Sequence, residues 1–116
     1  MLKDDCLFCK IIKGEIPCNK VYEDENVFAF KDINPQAPVH ILIIPKIHIE
    51  KVADLDNSNK ECVSNLVMIA NKLADELGIT EAGYRLVVNC NKDAGQDVFH
   101  LHVHLLGGRK FNWPPG

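Results

Sequence analysis

Residues 100–106 read His-Leu-His-Val-His-Leu-Leu, and this alternation of histidine with aliphatic residues decides how the chain folds around it. Successive side chains of a β-strand point to opposite faces of the sheet. The pattern therefore predicts a strand over residues 101–106 whose aliphatic side chains pack in a core. His100, His102 and His104 then share the other face, with neighbours roughly 6–7 Å apart at the usual rise of about 3.3 Å per residue.

The shared face of histidines has three interpretations. In the first, the rings are solvated residues of an edge strand. In the second, they ligate a metal, since alternating histidines on a strand can bind zinc. Alternatively, one unprotonated ring nitrogen attacks phosphorus while the other nitrogen keeps its proton and is oriented by a hydrogen bond. The preceding loop, residues 93–98, favours phosphorus chemistry because Gly95 permits backbone N–H groups to approach an anion closely. Asn89 offers a further donor to a phosphate oxygen.

The rest of the chain predicts an α+β domain with a mainly antiparallel five-stranded sheet, one long helix and a short N-terminal helix. The short helix is expected over residues 7–13 and ends before Gly14. The run 39–44 is almost entirely apolar, which is typical of a central strand buried on both faces. The other strands are expected at residues 21–23, 27–31, 84–89 and 101–106.

The long helix has the clearest signals. Ser58 and Glu61 have the spacing of a capping box, in which both side chains satisfy free N–H groups at the helix start. Gly78 supplies a left-handed stop at the C-terminus. Between them an apolar stripe recurs at helical spacing. It consists of Val63, Leu66, Val67, Ala70, Leu73, Ala74 and Leu77.

Length and charge limit the class of protein. The 116 residues suit one domain, residues 1–116, and the net charge of −3 argues against a grip on a nucleic-acid backbone. No apolar stretch approaches the roughly 20 residues that span a bilayer, and the N-terminus is too acidic for a secretory signal. We therefore expect a cytoplasmic protein that binds neither nucleic acid nor membrane.

Two of the five cysteines form a Cys-x-x-Cys pair. Cys6 and Cys9 have the spacing of half a tetrahedral zinc site, and cysteines of cytosolic proteins are expected to be reduced. The alternative is that both are buried free thiols, as we expect for Cys18, Cys62 and Cys90.

Residues 94–109 resemble the signature of the histidine triad (HIT) family, and within it the HINT branch of nucleoside phosphoramidases. The similarity extends over nearly the whole chain and includes residues 6–12, 30–38, 40, 44–49 and 112–116. The resemblance implies the HIT fold and a homodimer in which the sheets of two subunits join. It also implies that the C-terminal tail, residues 109–116, reaches the partner's active site.

The resemblance further implies hydrolysis of a purine nucleoside 5'-phosphoramidate, such as adenosine monophosphate joined to an amine. His102 would attack the α-phosphorus and form a nucleotidyl-histidine intermediate, which water hydrolyses. His104 would contact the phosphate or the leaving group and help to protonate the departing amine. His40 and His100 complete the catalytic set by orienting the triad, and the chemistry requires no cofactor.

The same resemblance assigns the nucleotide-binding residues, although for any one apolar residue core packing is the alternative. Those implied are Leu7, Phe8, Ile11, Phe30, Ile33 and Leu42 for the base, Asp32 for the ribose, and Asn89, Gly95, Gln96, Asp97, Val98, His102 and His104 for the phosphate. At Asp97 the HINT branch usually has serine. Because a phosphate repels an ionised carboxylate, we expect Asp97 to shift substrate choice towards lysine-like amines or to slow turnover.

Zinc-bearing relatives complete the Cys-x-x-Cys pair with a histidine after a Pro-Lys segment and with the first histidine of the triad. The resemblance thus implies a closed, structural zinc site made by Cys6, Cys9, His48 and His100. Two other functions stay open. One is hydrolysis of dinucleoside polyphosphates by the same histidine, and the other is nucleotide binding or scaffolding with catalysis weakened by Asp97.

Overall fold

A computed structural model describes residues 2–116, and it contains one five-stranded antiparallel sheet with the strand order β1-β2-β3-β5-β4. The prediction of an α+β fold with a long and a short helix is confirmed. Two single-turn 3-10 helices lie at Val52–Asp54 and Lys92–Ala94. The main elements are α1 (Leu7–Ile12), β1 (Lys20–Glu23), β2 (Val27–Lys31), β3 (Val39–Pro45), α2 (Glu61–Glu76), β4 (Tyr84–Val87) and β5 (Val103–Gly107).

The sheet separates two apolar cores, because strand residues alternate between its faces. In β3, Ile41 and Ile43 join the core beneath α2, whereas Leu42 and Ile44 join the core that contains α1. β3 is the central strand and is buried on both faces, as its apolar run predicted. His104 pairs with Leu42 across the ladder between β5 and β3, so the strand histidine lies on the α1 face.

Helix α2 covers the opposite face with most of the predicted apolar stripe, but Leu77 follows the helix and is 45% exposed. Leu66, Ala70, Leu73 and Ala74 are buried against the sheet, and burial of each leucine stabilises the fold by about 2 kcal/mol. Gly78 follows the helix with a φ of 74°, which confirms the left-handed stop. Among residues 2–116, no helix has the length and apolar character needed to cross a membrane.

The predicted capping box at the start of α2 is wrong. The helix begins at Glu61, and its N-cap residue Lys60 makes no side-chain capping bond. The Ser58 hydroxyl instead donates to the Asp56 carboxylate at 2.6 Å, and the Ser58 N–H donates to the same oxygen. A short polar side chain that finds a local partner in a turn is not available to the helix.

Two strand boundaries also differ from the prediction by two residues each, and the others differ by no more than one. β4 ends at Val87 rather than Asn89, and β5 begins at Val103 rather than two residues earlier. The backbone turns away from the ladder there, since the Leu101 N–H donates to the Ile49 carbonyl at 2.6 Å. His100 and His102 therefore precede the strand. The alternation survives nonetheless, because Leu101 is buried with the other aliphatic residues beneath α2.

Candidate active site and metal cluster

A cavity of about 430 Å³ opens on the α1 face of the sheet, and we call it the histidine cavity because His102 and His104 line it. It brings together every residue to which the resemblance assigned nucleotide binding except Gln96. Those in its lining are Leu7, Phe8, Ile11, Phe30, Asp32, Ile33, Leu42, Asn89, Gly95, Asp97, Val98, His102 and His104. Sequence reasoning missed the further lining residues Ile16, Pro17, Cys18 and Lys31, whose one signal was their position just after α1 or beside Asp32.

The hydrogen bond made by His102 determines which of its ring nitrogens is free. Its Nδ1 lies 2.7 Å from the carbonyl oxygen of His100. A carbonyl can only accept, so Nδ1 carries the ring proton and a neutral ring keeps Nε2 unprotonated. The ring is largely buried, and the edge of Phe8 packs against it with the centroids 5.2 Å apart. The site therefore holds one oriented imidazole with a free lone pair, as a nucleophile requires.

A chain of hydrogen bonds determines the tautomer of His104 in the same way. The Gln36 N–H donates to His40 Nδ1 at 3.0 Å, so His40 carries its proton on Nε2. That nitrogen lies 2.9 Å from His104 Nδ1 and 3.4 Å from a carboxylate oxygen of Asp32. Because His40 Nε2–H donates to His104 Nδ1, that Nδ1 is unprotonated. The ring proton of a neutral His104 is therefore on Nε2. The cavity thus combines a lone pair on His102 with an N–H donor on His104.

Burial keeps the imidazoles of His40 and His104 neutral. It lowers the pKa of His104 to about 4, and the neighbouring His102 and His40 add to the effect. Burial also lowers the pKa of His40, although the negative charge of Asp32 opposes the change. Both rings are therefore uncharged near neutral pH, as the chain of donors and acceptors requires. The centroids of the His102 and His104 rings are 5.0 Å apart, so both can act on one bound group.

Gln96 shapes the loop beside the cavity instead of lining it. Its Nε2 donates to the carbonyls of Glu50 at 2.8 Å and Val98 at 3.1 Å, while its Oε1 accepts from the Asn91 N–H at 2.9 Å. The residue is only 6% exposed. Asn91 and Gly95 both have positive φ, 68° and 82°, which curls the loop towards the cavity. Gln96, which the resemblance assigned to phosphate binding, therefore holds the loop between Asn91 and Val98 in place.

A second cavity of about 360 Å³ adjoins the first, and we call it the side cavity. The two share Leu7, Asp97 and Val98 in their linings. Asp5 and Glu50 also line the side cavity, and Lys3 contributes a positive charge there. Asp97 thus stands on the boundary between the histidine cavity and a second space with three carboxylates.

Cys6, Cys9, His48 and His100 form a group beside the histidine cavity, here called the Cys/His cluster, in which His48 is half-buried and the other three are buried. The Nδ1 of His100 lies 3.4 Å from the Sγ of both cysteines, and the Nδ1 of His48 lies 3.4 Å from the Sγ of Cys9. In tetrahedral zinc sites, bonds of about 2.3 Å to sulfur and 2.0–2.1 Å to nitrogen separate these atoms by about 3.5 Å. The spacing therefore fits one zinc ion.

The environment of the cluster supports the same donor assignment. His100 Nε2–H donates to the Pro45 carbonyl at 2.9 Å, which turns the lone pair of Nδ1 towards the thiols. His48 Nε2 is buried and has no hydrogen-bond partner among residues 2–116, so the donor atom of His48 is assigned by the contact of its Nδ1 with Cys9 alone. Burial raises the pKa of the Cys9 thiol and lowers the pKa of His100 to about 4. A bound cation would provide the positive charge that thiolates at this depth require.

Asp32, His40 and His104 also approach each other closely enough to be considered as metal ligands. Their hydrogen bonds argue against this use. His40 Nδ1 already accepts the Gln36 N–H, so its Nε2 keeps a proton and has no lone pair for a metal. Of the two groups found among residues 2–116, the Cys/His cluster is therefore the better candidate for a metal site.

Comparison with known proteins gives consistent matches. The family model described as HIT domain matches residues 13–111. The purine nucleoside phosphoramidase of Escherichia coli (strain K12) is 48% identical over 108 residues, which cover 93% of this chain and 91% of that protein. The 14 kDa zinc-binding protein of Zea mays is 52% identical over 112 residues, covering 95% and 87%. A HIT family hydrolase from Legionella pneumophila Philadelphia 1 superposes with a TM-score of 0.94 at 54% identity, covering 97% of this chain and all of that one.

Proposed function

This chain belongs to the HIT domain family, and from that premise we propose that it hydrolyses purine nucleoside 5'-phosphoramidates. The family resemblance found in residues 94–109 is thereby confirmed, and the similarity to a curated phosphoramidase and to a HIT family hydrolase supports a nucleotide hydrolase. The observation that carries the specific reaction is the pair of tautomers. His102 offers an unprotonated Nε2 beside a His104 that offers an N–H donor.

The lining of the histidine cavity suits a nucleoside monophosphate group. Its apolar part, which includes Phe8 and Ile11 of α1, provides a slot for a purine base. The Asp32 carboxylate borders this part and can accept hydrogen bonds from the ribose hydroxyls. The loop of residues 95–98 and Asn89 then lie beside the two histidines, where they can donate to phosphate oxygens.

In the proposed reaction, His102 Nε2 attacks the α-phosphorus and the bond from phosphorus to the amine nitrogen breaks. The Nε2–H of His104 hydrogen-bonds the leaving nitrogen, and the departing amine takes up its proton from solvent, because neutral His104 would become an imidazolate if it gave up its one ring proton. Water then attacks the nucleotidyl-histidine at phosphorus, releases the nucleoside monophosphate and gives one proton back to solvent, so that His102 and His104 regain their starting states. Throughout both steps the His100 carbonyl holds Nδ1–H of His102, so the same nitrogen always faces phosphorus.

Hydrolysis of adenosine 5'-phosphoramidate by the wild type and by His102→Ala tests the reaction. We expect the variant to lose about 10³-fold or more in kcat/KM, because it lacks the ring nitrogen that would form the covalent intermediate. Binding of adenosine monophosphate, measured by calorimetry, should persist and shows that the variant is folded. Equal rates for both proteins would contradict the role of His102.

Two alternatives are separated by the same assay. A preference for diadenosine tetraphosphate over the phosphoramidate would support a dinucleoside polyphosphate hydrolase. Binding of adenosine monophosphate without hydrolysis of either compound would support a binding or scaffold protein. The intact pair of tautomers favours catalysis, since a binding site has no need of an oriented free lone pair.

Asp97 supports a finer proposal about the leaving group. It borders both cavities, and the side cavity also carries Asp5 and Glu50. An amine that leaves the phosphorus and bears a further ammonium group would reduce the repulsion between these carboxylates. We therefore propose that this chain favours phosphoramidates of lysine-like amines over those of neutral amines.

We also propose that the Cys/His cluster holds one structural zinc ion. Its spacing and donor set fit zinc, and the similar maize protein is named for zinc binding. Bound there, the metal would link α1 to residues 48 and 100 and supply no chemistry to the reaction. Native mass spectrometry after expression with added zinc should find one zinc per chain, and Cys9→Ser should lose it.

A homodimer with joined sheets is proposed on two features. β4 is an edge strand, and its Arg85 holds the C-terminal tail by donating to the Asn112 carbonyl at 2.6 Å and stacking on Phe111. Trp113 in that tail is 82% exposed and would be covered by a partner chain. Light scattering should give the mass of two chains. One HIT domain over residues 1–116 and a cytoplasmic location stay predictions.

A further inference from the structure

We infer that helix α1 couples the Cys/His cluster to the histidine cavity, so that bound zinc and bound nucleotide each raise the affinity of the chain for the other. The inference rests on the proposed function and on the proposed zinc site, and it goes beyond both. It makes the metal site a determinant of nucleotide affinity as well as of stability.

The first argument is that α1 contributes to both sites at once. Cys6 caps the helix, accepting the Cys9 N–H at 3.4 Å, and both thiols face the cluster. From the same turn, Phe8 lines the histidine cavity and packs its ring against His102 at 5.2 Å between centroids. Phe8 also contacts the His100 ring at 5.9 Å. A movement of α1 therefore alters the ligands of the cluster and the wall of the cavity together.

The second argument is that His100 belongs to both sites through different atoms. Its ring faces the two thiols through Nδ1 and is completely buried. Its carbonyl oxygen accepts the Nδ1–H of His102 at 2.7 Å, the bond that orients the nucleophile. Loss of the metal leaves the ring held by the Pro45 carbonyl and weak contacts with thiols, so the backbone at His100 gains freedom.

The third argument concerns the stability of α1. The helix has six residues, and isolated helices shorter than about 12 residues are marginal in water. Its position therefore depends on its tertiary contacts, which include the cluster on one side and the packing of Phe8 and Ile11 in the core on the other. A ligand that orders α1 through one set of contacts reduces the entropy lost when the second ligand binds. Positive coupling follows without any change of overall fold.

The test measures nucleotide affinity with and without metal. Calorimetry of adenosine monophosphate with the full chain should give a Kd about tenfold lower for the zinc-loaded than for the zinc-free protein, within the usual roughly 5–150-fold range of coupling. Circular dichroism checks that the zinc-free chain is folded at the assay temperature. In the reverse direction, competition with a chelator should show that adenosine monophosphate raises zinc affinity by the same factor, since coupling is reciprocal.

Matched cysteine variants separate this coupling from a general effect of thiol removal. Cys9 contacts both imidazoles of the cluster and is outside the described lining of the histidine cavity. Cys9→Ser should bind adenosine monophosphate as weakly as the zinc-free wild type and should not respond to zinc. Cys62→Ser removes a half-buried thiol that packs on the α2 face, and it should keep the full zinc response.

A Phe8→Leu variant tests the path through α1. It keeps an apolar side chain but lacks the ring edge that meets His102. Zinc should still bind, while the factor by which adenosine monophosphate changes zinc affinity falls towards one. If the metal is purely structural, or if the coupling follows a path that avoids α1, the factor is the same in Phe8→Leu as in the wild type. An unchanged factor therefore refutes the coupling through Phe8.

The remaining outcomes are distinct. Equal nucleotide affinity with and without zinc overturns the inference and leaves the proposed hydrolysis intact. Absence of zinc binding also overturns it. Absence of nucleotide binding in both forms shows instead that the proposed function is wrong. A zinc-free chain that is unfolded also overturns the inference, because adenosine monophosphate would then raise zinc affinity through folding of the whole domain rather than through α1.

Discussion

Replacing Gln96 with glutamate should destabilise the loop beside the histidine cavity. The substitution preserves shape and keeps an acceptor for the Asn91 N–H, but it removes both hydrogen atoms of Nε2. Those atoms are donated to the carbonyls of Glu50 and Val98 at 2.8 Å and 3.1 Å. A carboxylate oxygen then faces two carbonyl oxygens in a residue that is 6% exposed.

The expected magnitude follows from the groups left without partners. An unsatisfied buried polar group costs about 1–3 kcal/mol, so two carbonyls without donors cost about 3 kcal/mol together. This is a large fraction of the roughly 5–15 kcal/mol by which domains are stable. Urea denaturation should show the loss as a lower midpoint with an unchanged slope. Since the loop also borders the proposed phosphate position, KM for the phosphoramidate should rise more than kcat falls.

The matched control is Gln36→Glu. Gln36 is exposed, and its side chain donates a single bond to the Asn34 carbonyl at 3.0 Å, where water can replace it. We expect this variant to lose no more than about 0.5 kcal/mol. If Gln96→Glu unfolds at the same urea concentration as Gln36→Glu, then the Gln96 bonds do not hold the loop and the reasoning fails.

Three further predictions concern Asp97, His104 and Gly107. The wild type should have a higher kcat/KM for a phosphoramidate of a lysine-derived amine than for one of a neutral amine, and Asp97→Ser should lower the ratio of these two values by about tenfold. An unchanged ratio would show that Asp97 does not determine the choice of leaving group. Burial holds the pKa of His104 near 4 against about 6.5 when unfolded, so unfolding takes up a proton between these values. The unfolding free energy should therefore fall as pH drops from about 6.5 to 4, and this group contributes at most about 1.4 kcal/mol per pH unit to the fall. The fall should be smaller in His104→Asn, which lacks the titrating ring. Gly107→Ala would place a Cβ 2.5 Å from Ile79 Cδ1 and should cost about 1–3 kcal/mol by calorimetric melting, a loss that Ile79→Val partly relieves.

Much of the fold follows from local patterns in the sequence. The alternation in residues 100–106 assigned Leu101 and Val103 to one core, and the stripe of α2 assigned its buried face. These predictions succeed because side-chain direction in strands and helices depends on residue spacing alone. The boundaries are less predictable, because they depend on competing partners. Ser58 bonded to Asp56 in a turn rather than to the helix, and the ladder stopped where Leu101 found the Ile49 carbonyl.

The candidate site divides in the same way. By itself the sequence indicated which side chains would carry the proposed chemistry, since the triad, the Cys-x-x-Cys pair and the glycine-bearing loop are each recognisable within a few residues. Only the tertiary structure decided which ring nitrogen donates and which accepts. Cys6 meets His100 across 94 residues, and the proton of His104 is assigned through His40 to a backbone N–H of Gln36. Such assignments depend on which distant donor or acceptor reaches each ring nitrogen, and residue spacing along the chain does not encode that distance.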